Sequence, residues 1–574
     1  MPSYGDNSRG VVGRAWAIAD NAAALASRPL HARRHKELER EYQAPPDAWW
    51  ADDDRWFPAD TPPRRGNRLT PLVDGEQAMR TMYEVMDGAR ESILIAAWFV
   101  TPELRLIRSP DDLSDPPTGK GGPHAFLTLI ARKASEVDVR ILMWPGALVG
   151  KFSQRHVERV RRALLHANPR LRVRLDKHEH LSHCQHQKAL VVDGRVAFVG
   201  GLDVTAFDAD RWDVQQHTFR KGRNWHDAHW QLEGPCVADV TANFAQRWDA
   251  TAPDDPVPTS ARTPHPPLPA AGEGEQHTPF PAAGEGRPQR GASSLADQKD
   301  DGTHASGGST TAPLRPSPAA GRGAGGEGPG DAVVQVQRTV PKGVYSFASR
   351  GIYGVAHAYR HAIARARRFI YLENQYLWSP EITDALREAI ERGRGTDLQI
   401  ALVLPSHPNV GKGDTDRHIE DLTRADGGRG IFRAYALYTS CWDDAHHSYR
   451  YRPIYVHAKI AVIDDEWGTV GSANLNGRGM AGDSEINITT TDRASLKALR
   501  LRLWAEHLNC GEAELRAADP AMVLKERWVA TAAAQQRIAT ARSGLLTAAA
   551  FPYTTGHVDA DFGPGEVESA LLDR

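Results

Sequence analysis

Cysteine is scarce in this chain: Cys184, Cys236, Cys441 and Cys510 are the four among 574 residues, widely separated and never spaced C-x-x-C. That argues against a disulfide framework and against a cysteine-based zinc site, and it is compatible with a reducing compartment. Long hydrophobic runs are missing as well. No stretch of about 18 apolar residues occurs, and the N-terminal region holds no sustained apolar segment, so we expect a soluble chain without a conventional secretory leader. Such a chain would act in the cytoplasm or leave the cell by another route, touching membranes only peripherally. Net charge is also nearly absent, with 70 Lys plus Arg against 72 Asp plus Glu. Without a global positive field, nucleic acid is not an expected partner, and contact with an anionic lipid surface has to be local.

What is present is an alternation of apolar, β-branched runs with helical stretches, the pattern of α/β architecture. ESILIAAWFV, VDVRILMWP, LRVRLDK, KALVVDG and VAFVGG read as strands in the first half; RRFIYLENQYL, LQIALVLP, KIAVIDD, GTVGS and EINITTT answer them in the second. HVERVRRALLHA and ITDALREAIERG have apolar positions at three- and four-residue intervals, as helices require. Between the halves the composition turns to Pro, Gly, Ala and Ser, with PAAG at Pro269, Pro281 and Pro318 at unequal spacing, which excludes a solenoid repeat. The expected organisation is an N-terminal helical extension (1–66), a first unit (67–250), a disordered linker (251–338), a second unit (339–512) and a C-terminal helical extension with an acidic tail (513–574). The two units look like diverged copies, and a monomer is expected.

The copies share one short motif, HQKALVVD at 186–193 and HAKIAVID at 457–464. Each is followed by a turn and a second strand ending in small residues, GGLD or GSAN, so that Asp203 and Asn474 each stand 17 positions beyond their histidine. Side chains two apart in a strand share a face, so His186 sits beside Lys188 and His457 beside Lys459. Two such pairs meeting at one place suit a phosphate group: one neutral histidine can attack phosphorus while the other protonates the departing oxygen. A single His-x-Lys on a strand edge is usually only a solvated face. Two copies with matching downstream turns are not expected by chance. HEHLSHCQH offers His178, His180, His183, Cys184 and His186 as a rival metal site, but the second copy has no comparable run before His457.

On these residues the sequence resembles the phospholipase D superfamily with its paired HKD motif, and most closely its eukaryotic-like branch. The closer likeness rests on AAWFVTPELRLIR, SHCQHQKALVVD, AFVGGLD, RWD, NWHDAHWQLEGPCVADVTANFAQRW, FIYLENQYL, HAKIAVIDD, GSANLNGRGMAGDSEINI and LRLWAEHL, which run through both halves in order. The resemblance implies two pseudo-symmetric α/β/α units with the active site at their interface, and cleavage of a phospholipid head group to phosphatidic acid with neither metal nor cofactor. It implies His186 as nucleophile and His457 as general acid and base, with Lys188, Lys459, Asn474 and Ser472 on the phosphate. Asp203, where many relatives carry Asn, is a further candidate for the phosphate. Glu485 in DSEIN and Asp213 in RWD are the candidates to orient the two histidines. The motif acids Asp193 and Asp464, grouped with the catalytic residues in the motif, read as structural. Glu373 or Gln375 in ENQYL either line the pocket or make ordinary buried hydrogen bonds, and Trp98, Trp144, Trp378 and Trp442, candidates to shape a lipid groove, read first as core packing. Transfer to alcohols, a cardiolipin-synthase-like transferase, a nuclease and an idle membrane scaffold are the alternatives.

Overall fold

The computed structural model describes residues 61–109, 122–147, 153–178, 184–206, 209–220, 222–258 and 330–556. In the first half β1 (Arg64–Val73), β2 (Ser92–Ala97), β3 (Asp138–Met143), β4 (Arg172–Leu175), β5 (Ala189–Val192), β6 (Val196–Gly200), β7 (Trp225–His226) and β8 (Ala228–Glu233) alternate with helices α1 (Gly75–Asp87), α2 (Phe126–Lys133) and α3 (Gln154–Ala167); α4 (Val237–Thr251) follows them. Seven of these strands form one sheet in the order β4-β3-β2-β5-β6-β8-β1; β2, β3 and β4 are parallel and the remaining neighbours antiparallel.

The second half holds β9 (Ala332–Val340), β10 (Ile352–Tyr353), α5 (Gly354–Arg365), β11 (Phe369–Glu373), α6 (Pro380–Arg392), β12 (Gln399–Val403), α7 (Lys412–Asp426), β13 (Phe432–Asp443), β14 (Ser448–Val456), β15 (Ile460–Ile463), β16 (Trp467–Gly471), β17 (Glu485–Thr490) and α8 (Arg493–Leu508). Its sheet runs β13-β12-β11-β15-β16-β17-β9, with the same parallel and antiparallel neighbours in the same places. The two halves are thus pseudo-symmetric α/β units. A short antiparallel pairing of β1 with β9 joins their edges.

Strand alternation explains the layering. In β2, Ile93 and Ile95 face a core shared with α1, α2 and α3, whereas Leu94 and Ala96 face a central core. In β11, Ile370 and Leu372 face α5, α6 and α7, and Phe369 and Tyr371 face the same central core. Phe244 and Trp248 of α4 and Leu503 and Trp504 of α8 fill that centre. Each fully buried side chain of this size contributes roughly 1.5–3 kcal/mol. The halves are therefore fused through one apolar interior.

Three expectations change. The linker was read as reaching residue 338, but β9 begins at Ala332 and pairs with β17 over six positions, so its end is a core strand. Its run AVVQVQRTV carries buried polar residues, Gln335, Gln337 and Arg338, that break the apolar signal. The long hairpin of β13 and β14 also escaped, because FRAYALYTSCWD and SYRYRPIYV are rich in polar and charged residues. Beyond α8, the chain continues through α9 (Glu512–Ala517) and α10 (Val529–Ala541) to β18 (Ala550–Pro552), which pairs with β13; Trp528 is wholly buried in the central core. The N-terminal extension, most of the linker and the acidic tail lie outside the described residues.

Candidate active site

His186 and Lys188 lie in the extended segment entering β5, and His457 and Lys459 in the one entering β15. In each copy the lysine folds back on its histidine: Lys188 Nζ donates to the His186 carbonyl at 2.7 Å, and Lys459 Nζ to that of His457. The acids that close the motifs do different work. Asp193 (φ 53°) accepts backbone N–H bonds from Arg90, Glu91 and Ser92 at 2.7–2.9 Å; Asp464 (φ 56°) accepts from Arg367, Arg368 and Phe369 at 2.7–3.0 Å. They fasten the strand ends to the starts of β2 and β11. Each stands seven positions from its histidine along a largely extended segment, roughly 20 Å, so neither belongs to the catalytic group.

The histidines are oriented across the halves. His186 Nδ1 lies 2.9 and 3.0 Å from the two oxygens of Glu485, which begins β17 of the second half. His457 Nδ1 lies 2.7 Å from Asp227 Oδ2, just before β8 of the first half. Strand register makes the two acids equivalent: Gly200 pairs with His229 and Gly471 with Asn487, two residues beyond Asp227 and Glu485 respectively. The backbone repeats the crossing, for His186 N donates to the Ser484 carbonyl at 3.0 Å and His457 N to that of His226 at 2.8 Å. Each Nδ1 contact leaves Nε2 to face the reaction.

Asp227 is the residue that the sequence reading missed. Asp213 was the candidate for that place, but its carboxylate accepts from the backbone of Val214 and Trp225 and from Asn224, and contacts His217 at 3.2 Å. It organises a loop instead of touching His457. The available signal was the acid directly before the strand that follows the small-residue turn, as in DSEIN. A long loop between GGLD and WHDAHW obscured the match.

Two other assignments shift. Asp203 forms an ion pair with Lys188 at 3.2 Å and accepts from Trp98 N at 3.0 Å. Both contacts are internal to the protein, and the one to Lys188 fits a residue that holds that lysine in place. Ser472 donates its hydroxyl to Glu485 Oε2 at 2.5 Å, and its carbonyl stands 3.1 Å from His186 Nδ1. It supports the orienting acid. Asn474, equivalent to Asp203, is buried with its side-chain carbonyl unpaired.

Burial and the two lysines hold His186 well below its usual range; burial, Lys459 and Arg211 do the same for His457. Each lysine acts on both imidazoles, so the four groups form one electrostatic unit. Burial pushes Lys459 down to about 7, although Asp227 opposes. Burial pushes the Glu485 carboxyl well up, opposed by Lys188 and the Ser472 hydroxyl. Burial thus disfavours charge on both partners of the His186–Glu485 contact.

Gln375 reaches this site, its carbonyl 3.4 Å from Lys459 Nζ. Glu373 turns away to His226, His507 and Tyr371. Trp98 stacks on Trp144 at 6.0 Å and stands 6.4 Å, edge to ring, from His186; Trp378 donates to Thr415, and Trp442 is exposed on the β13–β14 hairpin. Of the rival metal run, His186 is committed to Glu485 and His178 stands 3.3 Å from Asp176; His180 and His183 lie outside the described residues.

Fold and site together define a duplicated α/β protein whose halves each present a histidine–lysine pair oriented by the other. The family model described as "Cardiolipin synthase, PLD-like domain" matches residues 359–505. Curated relatives include phospholipase D of Phytophthora infestans, 23% identical over 78% of this chain and 33% of its own length. Phospholipase D zeta 1 of Arabidopsis thaliana is 25% identical (85% and 59%), and phospholipase D alpha 1 of Oryza sativa subsp. japonica 26% (76% and 65%). The chain thus spans between a third and two thirds of these relatives. Among solved structures, the phosphatidylserine synthase of Haemophilus influenzae Rd KW20 aligns over 84% of this chain and 96% of its own with a TM-score of 0.45 and 11% identity. The chain is thus similar to the phospholipase D superfamily, with its sequence relatives in the eukaryotic-like branch. Among the described residues no helix is long and apolar enough to cross a membrane.

Proposed function

We propose that this protein is a phospholipase D that hydrolyses the head-group phosphodiester of a glycerophospholipid to phosphatidic acid. The observation that carries the reading is the crossed pair of carboxylate-backed histidines, each beside a lysine. Relatives named phospholipase D support the same class of activity. Lys188 and Lys459 bind the phosphate oxygens, and the side-chain amide of Asn474 joins them. His186, neutral through burial and the lysines, attacks phosphorus with Nε2. The P–O bond to the head-group alcohol breaks, and His457 gives that oxygen a proton. In the free protein the lysines disfavour a charged His457; the bound phosphate offsets them, and Asp227 supports the imidazolium. Water then attacks the phosphohistidine, returns a proton to His457 and releases phosphatidic acid and His186. An alcohol in place of water takes the phosphatidyl group by the same second step.

The test offers purified full-length protein phosphatidylcholine, phosphatidylethanolamine and phosphatidylglycerol with ethanol, beside His186→Ala and His457→Ala. Phosphatidic acid and phosphatidylethanol are expected from the wild type only. Product that persists in both variants overturns the paired-histidine reading, and no turnover of any lipid by the wild type overturns the lipase reading.

A further inference from the structure

A second cluster of chemically capable groups lies behind Asp227, apart from the phosphate site. Asp74 follows β1, His217 lies on the loop before β7, His226 is in β7 and Glu506 is in α8. Their side chains are between 0 and 3% exposed. His217 Nε2 stands 3.1 Å from Glu506 Oε1 and 3.5 Å from Asp74 Oδ2; His226 Nδ1 stands 3.0 Å from Asp74 Oδ1 and 3.4 Å from Glu506 Oε1. A tetrahedral zinc ion with ligands at about 2.0–2.1 Å has donor-to-donor edges of about 3.3–3.4 Å; the four separations, which meet one oxygen of Glu506 and one or the other oxygen of Asp74, straddle that value.

The outer contacts of the two imidazoles fit the same use. His217 Nδ1 faces Asp213 Oδ2 at 3.2 Å, and His226 Nε2 faces Glu373 Oε2 at 2.7 Å. A carboxylate on the far nitrogen fixes the tautomer of a metal-bound histidine and raises its basicity. Independently, Asp74 Oδ2 and Glu506 Oε2 are buried without a hydrogen bond. Buried carboxylate oxygens left in this way are costly unless a cation answers them.

We propose that Asp74, His217, His226 and Glu506 bind one divalent transition-metal ion of the zinc class in a closed, structural site. The ion ties the first half to α8. It also steadies the residue that orients His457, because Asp74 N donates to the Asp227 carbonyl at 2.8 Å and Asp74 Oδ1 accepts from Asp227 N at 3.2 Å. The competing arrangement puts two protons where the metal would be. Against burial, Asp74, Asp213 and Glu506 push His217 up to about 10, and two imidazolium protons carry the same charge as one divalent ion.

The experiment separates the two by metal analysis of the full-length protein, as purified and after chelation and re-exposure to zinc or cobalt(II). The expected result is close to one equivalent retained or regained, a higher melting temperature with metal, a tetrahedral cobalt spectrum, and X-ray absorption with nitrogen and oxygen ligands only. Glu506→Gln should lose the stoichiometric metal, and Asp213→Asn should weaken binding about 10–100-fold by removing an outer carboxylate. A folded wild type that holds no metal before or after re-exposure overturns the proposal, as does full occupancy in Glu506→Gln or sulfur among the ligands. The absorption measurement on wild type decides the matter if the variants do not fold.

Discussion

The first and second halves share a topology strand for strand, yet their charges differ around equivalent atoms. Lys188 has a carboxylate partner in Asp203 at 3.2 Å, whereas Lys459 has the neutral Gln375 at 3.4 Å and is pushed by burial down to about 7. The acid-orienting positions differ too, with Ser472 donating to Glu485 where Gly201 stands beside Asp227. A Cβ at Gly201 would lie 2.1 Å from Asp227 Oδ1, so the first half has no room for the serine of the second. Duplication therefore preserved the scaffold while the surroundings of the two histidines diverged, and the proposed mechanism uses that difference, with His186 staying neutral and His457 exchanging a proton.

The sharpest way to break the comparison is to remove one histidine at a time. His186→Ala should abolish turnover and covalent labelling together, a loss of roughly 10⁴-fold or more, and the double variant should be little worse than either single one. His457→Ala should lose roughly 10²–10⁴-fold on natural head groups but recover part of that on a substrate with a nitrophenol leaving group, and rapid quench should trap its phosphoenzyme. Equal loss on both leaving groups would reverse or remove the assigned roles.

The crossed acids come next. Asp227→Asn should cost on the order of 10²–10⁴-fold in kcat through the wrong tautomer of His457, and be relieved by the good leaving group; Glu485→Gln should show no such relief. Gly201→Ala should copy Asp227→Asn by displacing that carboxylate. Activity within about threefold of wild type in Gly201→Ala would show that the contact does not position His457.

Smaller effects separate the lysines. Burial lowers Lys459 in the free protein, so its charge is present below about pH 7 and lost above it. The pH profile of kcat/KM should therefore decline above about 7, while that of kcat declines at higher pH because bound phosphate favours the ammonium. Lys459→Arg should move the first decline upward. Coincident, unmoved profiles would assign the ionisation elsewhere.

The smallest contrast is structural. Asp193→Ala and Asp464→Ala each remove an acceptor of three backbone N–H groups, and both should lower stability by about 1–3 kcal/mol, read by denaturant unfolding. Folded protein should keep kcat within a few-fold. A larger loss of kcat in one of them would mark a half whose strand end reaches the site.

Much of this was legible in the sequence because it is local. The His-x-Lys spacing, the apolar strands β5, β11 and β15, and the small-residue turns are encoded within a few positions. The strands that escaped include β1, β8, β9, β13 and β14, which interleave polar and apolar residues; in β9, Gln335, Gln337 and Arg338 are buried by neighbours remote in sequence. The orienting acids were half legible for a related reason. Glu485 was found through the family pattern, but Asp227 reaches His457 across 230 positions and the interface of the halves. No spacing rule within one half contains that contact, and Asp213, which lies in a recognisable RWD, drew the assignment instead. The buried Asp74, His217, His226 and Glu506 were invisible for the same reason, being contributed by three distant parts of the chain, with His217 and His226 close to each other in sequence.

The crossing of Asp227 and Glu485 has a consequence for the history of such a chain. A duplicated gene ordinarily leaves a spare copy that is free to drift. Here each acid contacts the imidazole of the opposite copy, so under the proposed mechanism a change of either one reaches across and neither copy is spare. Once the exchange was established, each half became the other's selective constraint, and the pair could be inherited only as a unit.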